Sequence, residues 1–194
     1  MVVVDPKASN DSAPPGLENR LILVSGPARS GKSRWAEQLL HNKPVVTYIA
    51  TAAARPEDAE WQARLELHRQ RRPGHWGLAE SGGELVEVVE SLVPGQSVLI
   101  DALGGFVAHH LEMNGTAWNR LCERLISSIT ASQCTCVVVT EETGWGVVPP
   151  TRIGGVFRDR LGVLAQKLDG VADDAWLVVQ GRALDLHALG HRVP

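Results

Sequence analysis

A three-layer α/β fold with a mostly parallel central sheet is what this sequence predicts, and three observations predict it. The octet Gly26-Pro27-Ala28-Arg29-Ser30-Gly31-Lys32-Ser33 matches G-x-x-x-x-G-K-[ST] at every fixed position, directly after the apolar residues 21–24 and directly before helix-forming residues. Four more short runs, at residues 45–49, 98–100, 137–140 and 176–179, are nearly continuous in apolar residues, as strands covered on both faces are. Helical patterns lie between those runs, the alternation by which parallel strands are joined through crossovers. The class is therefore α/β, with the arrangement of P-loop NTPase-like proteins.

Taken in order, residues 21–24 supply the first strand and the octet supplies a phosphate cradle. Glycine lets the backbone approach closely, so that successive N–H groups and the positive end of the following helix, from Arg34 to Leu40, face a nucleotide's β-phosphate. Lys32 is expected to reach the β- and γ-phosphates as a point charge, and the Ser33 hydroxyl to reach Mg²⁺. Pro27 removes one amide donor from the loop.

A second strand at 45–49 leads to an amphipathic helix at 57–70 that ends in a basic cluster, Arg69, Arg71 and Arg72. Trp61, Leu65 and His68 recur at i, i+4 and i+7, so these residues alone allow two readings. His68 completes a buried stripe, or the arginines gather polyphosphate around an imidazole that attacks phosphorus. Gly82-Gly83 and Pro94-Gly95 then mark turns. The strand at 98–100 ends on Asp101, which suits a carboxylate holding the Mg²⁺ shell opposite the loop serine.

Helices are expected at 106–113, 117–131 and 156–171, with the strand at 137–140 between the last two and that at 176–179 after them. The segment Thr140-Glu141-Glu142-Thr143-Gly144-Trp145-Gly146 joins adjacent acids to a glycine hinge, a composition that suits a mobile lid, a substrate platform or a solvated turn. Ligands of such sheets bind at the carboxyl ends of the strands, so the loops after Val24, Ile49, Ile100, Thr140 and Val179 should converge.

Composition narrows the partners. With 44 % hydrophobic and 21 % charged residues in 194, the chain reads as one globular domain over residues 21–194, preceded by a disordered extension over 1–20 rich in Pro, Asp and Asn. A net charge of −3 gives no basic field for nucleic acid. The extension lacks an apolar core for a signal peptide, and no apolar run reaches membrane-spanning length, so a cytoplasmic protein is expected. Cys122, Cys134 and Cys136 form no paired metal-binding pattern and read as reduced thiols.

These blocks together resemble the bifunctional adenosylcobinamide kinase and adenosylcobinamide-phosphate guanylyltransferase family of cobalamin biosynthesis. The match runs through the octet, Tyr48-Ile49-Ala50-Thr51-Ala52, His68 with Arg72-Pro73-Gly74-His75-Trp76, Glu142-Thr143-Gly144-Trp145-Gly146-Val147-Val148-Pro149, Phe157-Arg158-Asp159 and the strand from Trp176. The resemblance implies phosphorylation of adenosylcobinamide with ATP or GTP, then transfer of GMP from GTP through a guanylylated histidine matched by His68. It also implies nucleotide contacts at the octet, Thr51, Ala52, Ala53, Arg69, Gln70, Arg71, Arg72, Glu80 and Asp101, and a homotrimer. This chain departs from the family pattern at Pro27, at Glu141 where Asn is usual, at Ala165-Gln166, and in the glycine-rich Ala102-Leu103-Gly104-Gly105-Phe106. The Asn-Lys-x-Asp guanine signature is absent, since Asn42-Lys43-Pro44-Val45 lacks the acid, so guanine preference comes from the resemblance alone. Two further readings fit the residues: a P-loop kinase of small molecules without a covalent intermediate, and a regulatory nucleotide-binding module.

Overall fold

A computed structural model describes residues 19–53, 56–146 and 148–193, and for Trp61, Arg64 and His68 it describes the backbone only. Most of the expected extension, and Val147 of the lid segment, lie outside the described residues. The strands are β1 (Leu21–Gly26), β2 (Val46–Ala50), β3 (Gly77–Glu80), β4 (Ser97–Asp101), β5 (Thr135–Glu141), β6 (Asp174–Val179) and β7 (Arg182–Asp185). The helices are α1 (Lys32–Leu39), α2 (Ala59–Arg71), α3 (Leu85–Glu90), α4 (Leu103–His109), α5 (Gly115–Ala131), α6 (Arg152–Asp169) and α7 (Leu186–Leu189).

The strands form one sheet in the order β3-β2-β4-β5-β1-β6-β7. Every pairing is parallel except β6 with β7, where Val179 opposes Arg182 across a tight antiparallel turn. Strand periodicity sorts the core into two layers. Leu21, Leu23, Val98, Ile100, Cys136 and Val138 pack beneath α3, α4, α5 and α6, while Ile22, Val24, Leu99, Val137 and Val139 pack beneath α1. Phe106 of α4 is wholly buried in the larger layer, tilted against Trp118 of α5 with ring centroids 5.8 Å apart. On the other face, Trp35 of α1 meets Trp176 of β6 edge-on at 5.2 Å.

Caps set the ends of the long helices. Asn114 accepts from the Ala117 amide at the start of α5, and Thr151 accepts from Gly154 at the start of α6. α6 starts at Arg152, before the expected 156, because the Thr151 cap and not the apolar period decides its first turn, and α4 starts at Leu103, before the expected 106, without a side-chain cap. Among the described residues no helix is long and apolar enough to cross a membrane.

Candidate nucleotide-binding site

The octet folds as its chemistry requires. Gly26 closes β1 where a Cβ would collide with the Val178 carbonyl and lie 2.8 Å from Ser30 Oγ, so only glycine fits between β1 and β6. Gly31 caps α1 at φ 104°, a left-handed conformation that glycine adopts without steric cost. The Gly181 amide donates to the Ser30 carbonyl at 2.9 Å and ties the loop to the β6–β7 turn. Inside the loop the buried Ser30 hydroxyl has no partner among the described residues. Arg29, at the loop's outer edge with φ 59°, is 90 % exposed, and its 3.9 Å approach to Glu60 is too solvated to hold the loop.

Lys32 and Ser33 follow as the first residues of α1, and both line a cleft at the carboxyl ends of β1, β2, β4 and β5. Lys32 is buried, and its Nζ donates to the Pro27 carbonyl at 3.2 Å, folded back over the loop. Ser33 Oγ donates to Asp101 Oδ1 at 3.3 Å, which brings together the serine and the strand-end acid paired by the sequence reading. Tyr48 donates to the other oxygen, Asp101 Oδ2, at 3.1 Å. Burial, then the Asp101 charge, pushes the Tyr48 phenol far up, so it stays a donor. The Arg72 guanidinium stacks 3.8 Å from the Tyr48 ring centroid, and this stack joins the basic end of α2 to the acid of β4.

Of the residues named from sequence, Lys32, Ser33, Ala52, Arg69, Arg72, Glu80 and Asp101 line this cleft. Others take different places. Thr51 is fully buried, its hydroxyl donating to the Ala102 carbonyl, and it shapes the wall from behind. Ala53 is exposed beyond it. Arg71 turns from the cleft to form two hydrogen bonds with Glu37 of α1, at 3.1 and 3.2 Å, and Gln70 donates to Glu66 on the outer side of α2. The stripe of Trp61, Leu65 and His68 is not a core stripe at its described member: Leu65 is 41 % exposed and borders the cleft. No described side chain of α2 is buried.

The structure adds Tyr48, Ala50, Leu78, Ala102, Gly105 and Glu141 to the lining. Glu141 carried a signal in the sequence as the last residue of an apolar run, the same position that drew attention to Asp101. Its carboxylate Oε2 accepts from the Gly104 amide at 3.0 Å. Burial raises its pKa, while that amide and the Lys32 charge pull it down and Asp101 pushes it up. No cluster of three or more His, Cys, Asp or Glu suited to a metal exists among the described residues. Ser33 Oγ and the Asp101 carboxylate are the oxygens that meet beside the loop, a hard-donor pair of the kind that suits a divalent cation shared with phosphates and water.

Fold and site together define a nucleotide-binding α/β protein of the P-loop class. Comparison with a Pyrococcus horikoshii OT3 protein structure agrees on the fold: TM-score 0.50 at 12% identity, covering 87% of this chain and 86% of that one. The sequence comparisons are more specific, since residues 22–186 match the family described as cobinamide kinase / cobinamide phosphate guanyltransferase, and the chain belongs to that family. The "Bifunctional adenosylcobalamin biosynthesis protein CobU" of Salmonella typhimurium is 37% identical over 176 residues, covering 83% of this chain and 96% of the relative. That of Escherichia coli is 38% identical over the same shares, and the Pseudomonas aeruginosa protein CobP is 32% identical over 84% of this chain and 95% of its own.

Proposed function

We propose that this protein phosphorylates adenosylcobinamide with ATP or GTP and then transfers GMP from GTP onto the new phosphate, giving adenosylcobinamide-GDP. Family membership supports both transfers. The observation that carries the site assignment is the run of contacts from Ser33 through Asp101 and Tyr48 to Arg72, which sets phosphate-cradle chemistry and a basic helix end in one cleft.

In the kinase step the octet amides and Lys32 hold the β- and γ-phosphates, and Lys32 exchanges its Pro27 contact for phosphate oxygens. Ser33 and Asp101 would hold Mg²⁺, which when bound offsets charge on the phosphate oxygens. In the guanylyl step His68 is the nucleophile: an N–P bond to the α-phosphorus forms as the bond to pyrophosphate breaks, and the acceptor's phosphate oxygen then displaces the imidazole. Leu65, three residues before His68 on α2, borders the cleft, and so does Arg72 just past the end of the helix, which supports this residue for the role. Arg69 and Arg72 offset the charge of the departing pyrophosphate. The family resemblance also points to a cytoplasmic homotrimer.

Incubation with Mg²⁺, GTP and adenosylcobinamide, followed by mass spectrometry of the corrinoid, tests the reading. The expected result is a phosphate adduct that gives way to a GDP adduct. A corrinoid left unchanged by protein that binds GTP would refute it.

A further inference from the structure

Glu141 ends β5 in register with Gly26, the first glycine of the phosphate loop, so its carboxylate enters the cleft from the strand next to β1. A negative charge is out of place in a cleft that receives polyphosphate, unless it has a partner that phosphate cannot replace. The backbone is shaped to keep it there. At Gly104 a Cβ would stand 2.8 Å from both Glu141 carboxylate oxygens, so the carboxylate rests against the first turn of α4 in space that a side chain at residue 104 would make it give up. The Gly104 amide fixes Oε2 at 3.0 Å, and a carboxylate with one such bond retains lone pairs for a further donor. Lys32 from α1 and Asp101 from β4 are the charged groups that act on it.

The two reactions proposed for this cleft differ in one respect that concerns such a group. The kinase acceptor is a hydroxyl, which must give up a proton, while the guanylyl acceptor is a phosphate, which has none to give and which a carboxylate repels. Resting on that functional reading, we propose that Glu141 is a catalytic residue of the kinase step alone, the acceptor of the proton from the substrate hydroxyl. As the hydroxyl oxygen bonds to the γ-phosphorus, the bond from that phosphorus to the β,γ-bridging oxygen breaks, the nucleoside diphosphate leaves with the electron pair, and the proton passes to the Glu141 carboxylate and then to water. Burial raises the proton affinity of this carboxylate above that of an exposed glutamate, in the direction the transfer needs.

The test measures both half-reactions separately in the full-length protein, the kinase with adenosylcobinamide and the guanylyl transfer with adenosylcobinamide phosphate prepared beforehand. Glu141→Gln is expected to lower kinase kcat by about 10²- to 10⁴-fold, the range for a lost general base, with KM for the nucleotide little changed. Guanylyl transfer by the same variant stays within about threefold of the unsubstituted protein. Gly104→Ala, which displaces the carboxylate without removing it, is expected to show the same imbalance in milder form and serves alone if Glu141→Gln does not fold. Kinase activity that survives Glu141→Gln, or an equal fall of both half-reactions in either variant, would overturn the assignment and leave Glu141 as a structural contact to α4. Absence of cobinamide turnover in the unsubstituted protein would refute the functional reading instead, so the two failures are distinguishable.

Discussion

Replacement of Gly105 by alanine tests how tightly the two walls of the cleft are joined. Gly105 lies in the first turn of α4, and an ideal Cβ there falls 2.6 Å from Ala52 N and from the Thr51 carbonyl carbon, and against Thr51 Oγ1. Relaxed carbon contacts lie at about 3.5–4.0 Å, so roughly 1 Å of space has to be found by moving main chain on both sides. Overpacking costs about 1–3 kcal/mol, here at the upper end because two of the three opposing atoms belong to backbone, and the better helix propensity of alanine returns about 1 kcal/mol. The net loss is about 2 kcal/mol, or a fall in Tm of about 4–8 °C for a chain of this size. Gly162 of α6 is the comparison: its Cβ would meet nothing within 4 Å, so Gly162→Ala gains helix propensity alone, about 0.5–1 kcal/mol. Thermal unfolding of both variants is the assay, with titration of a fluorescent GTP analogue alongside. Gly105→Ala should unfold earlier and bind nucleotide more weakly, since Gly105 and Ala52 both line the cleft, while Gly162→Ala should unfold later and bind unchanged. Equal stability of the two variants would refute the reasoning.

Two other outcomes follow from the same geometry. Asp101→Asn removes the charge and keeps one oxygen acceptor in place of the two that receive the Ser33 and Tyr48 hydroxyls, so the Mg²⁺ concentration for half-maximal nucleotide binding should rise by about tenfold or more; an unchanged midpoint would remove Asp101 from the metal site. Burial pushes the Cys122 thiol up to about 11 and the Cys136 thiol up to about 12, so at pH 8 the thiolate is scarce and iodoacetamide should leave both unmodified in the native protein, whereas all three cysteines react in urea; rapid native alkylation at Cys136 would show that β5 is less covered than described.

Five strands and most helices were legible in the sequence because each carries a long enough run of one period: β1, β2, β4, β5 and β6 each hold an unbroken run of three or more apolar residues, and α5 and α6 repeat at helical spacing. The elements that escaped are short or carry an ambiguous pattern. β3 is four residues at the sheet edge and mostly exposed, β7 is a four-residue antiparallel return, and Leu85-Val86-Glu87-Val88-Val89-Glu90 is a helix written in strand-favouring residues, kept helical by packing of Leu85, Val86 and Val89 against the core. In the site, spacing found the octet and Asp101 because strand-end position determines where they go. Spacing could not separate Arg71 from Arg72, adjacent in sequence: one pairs with Glu37 and the other stacks on Tyr48, a difference set by the side of the helix end on which each emerges. Glu141 was visible as one of two adjacent acids before a glycine hinge and as a departure from the family's usual Asn, but its partner Gly104 lies thirty-seven residues away in sequence, so the contact that orients it was not.

The most direct test of the central claim, that GMP passes through this cleft on its way to the corrinoid, is to incubate the protein with Mg²⁺ and GTP labelled on the α-phosphate and to map the labelled peptide. The account predicts label that is acid-labile and alkali-stable, carried on His68, lost in His68→Ala and discharged by adenosylcobinamide phosphate. Label on another residue, or no label on protein that binds GTP and still makes the GDP adduct, would contradict it.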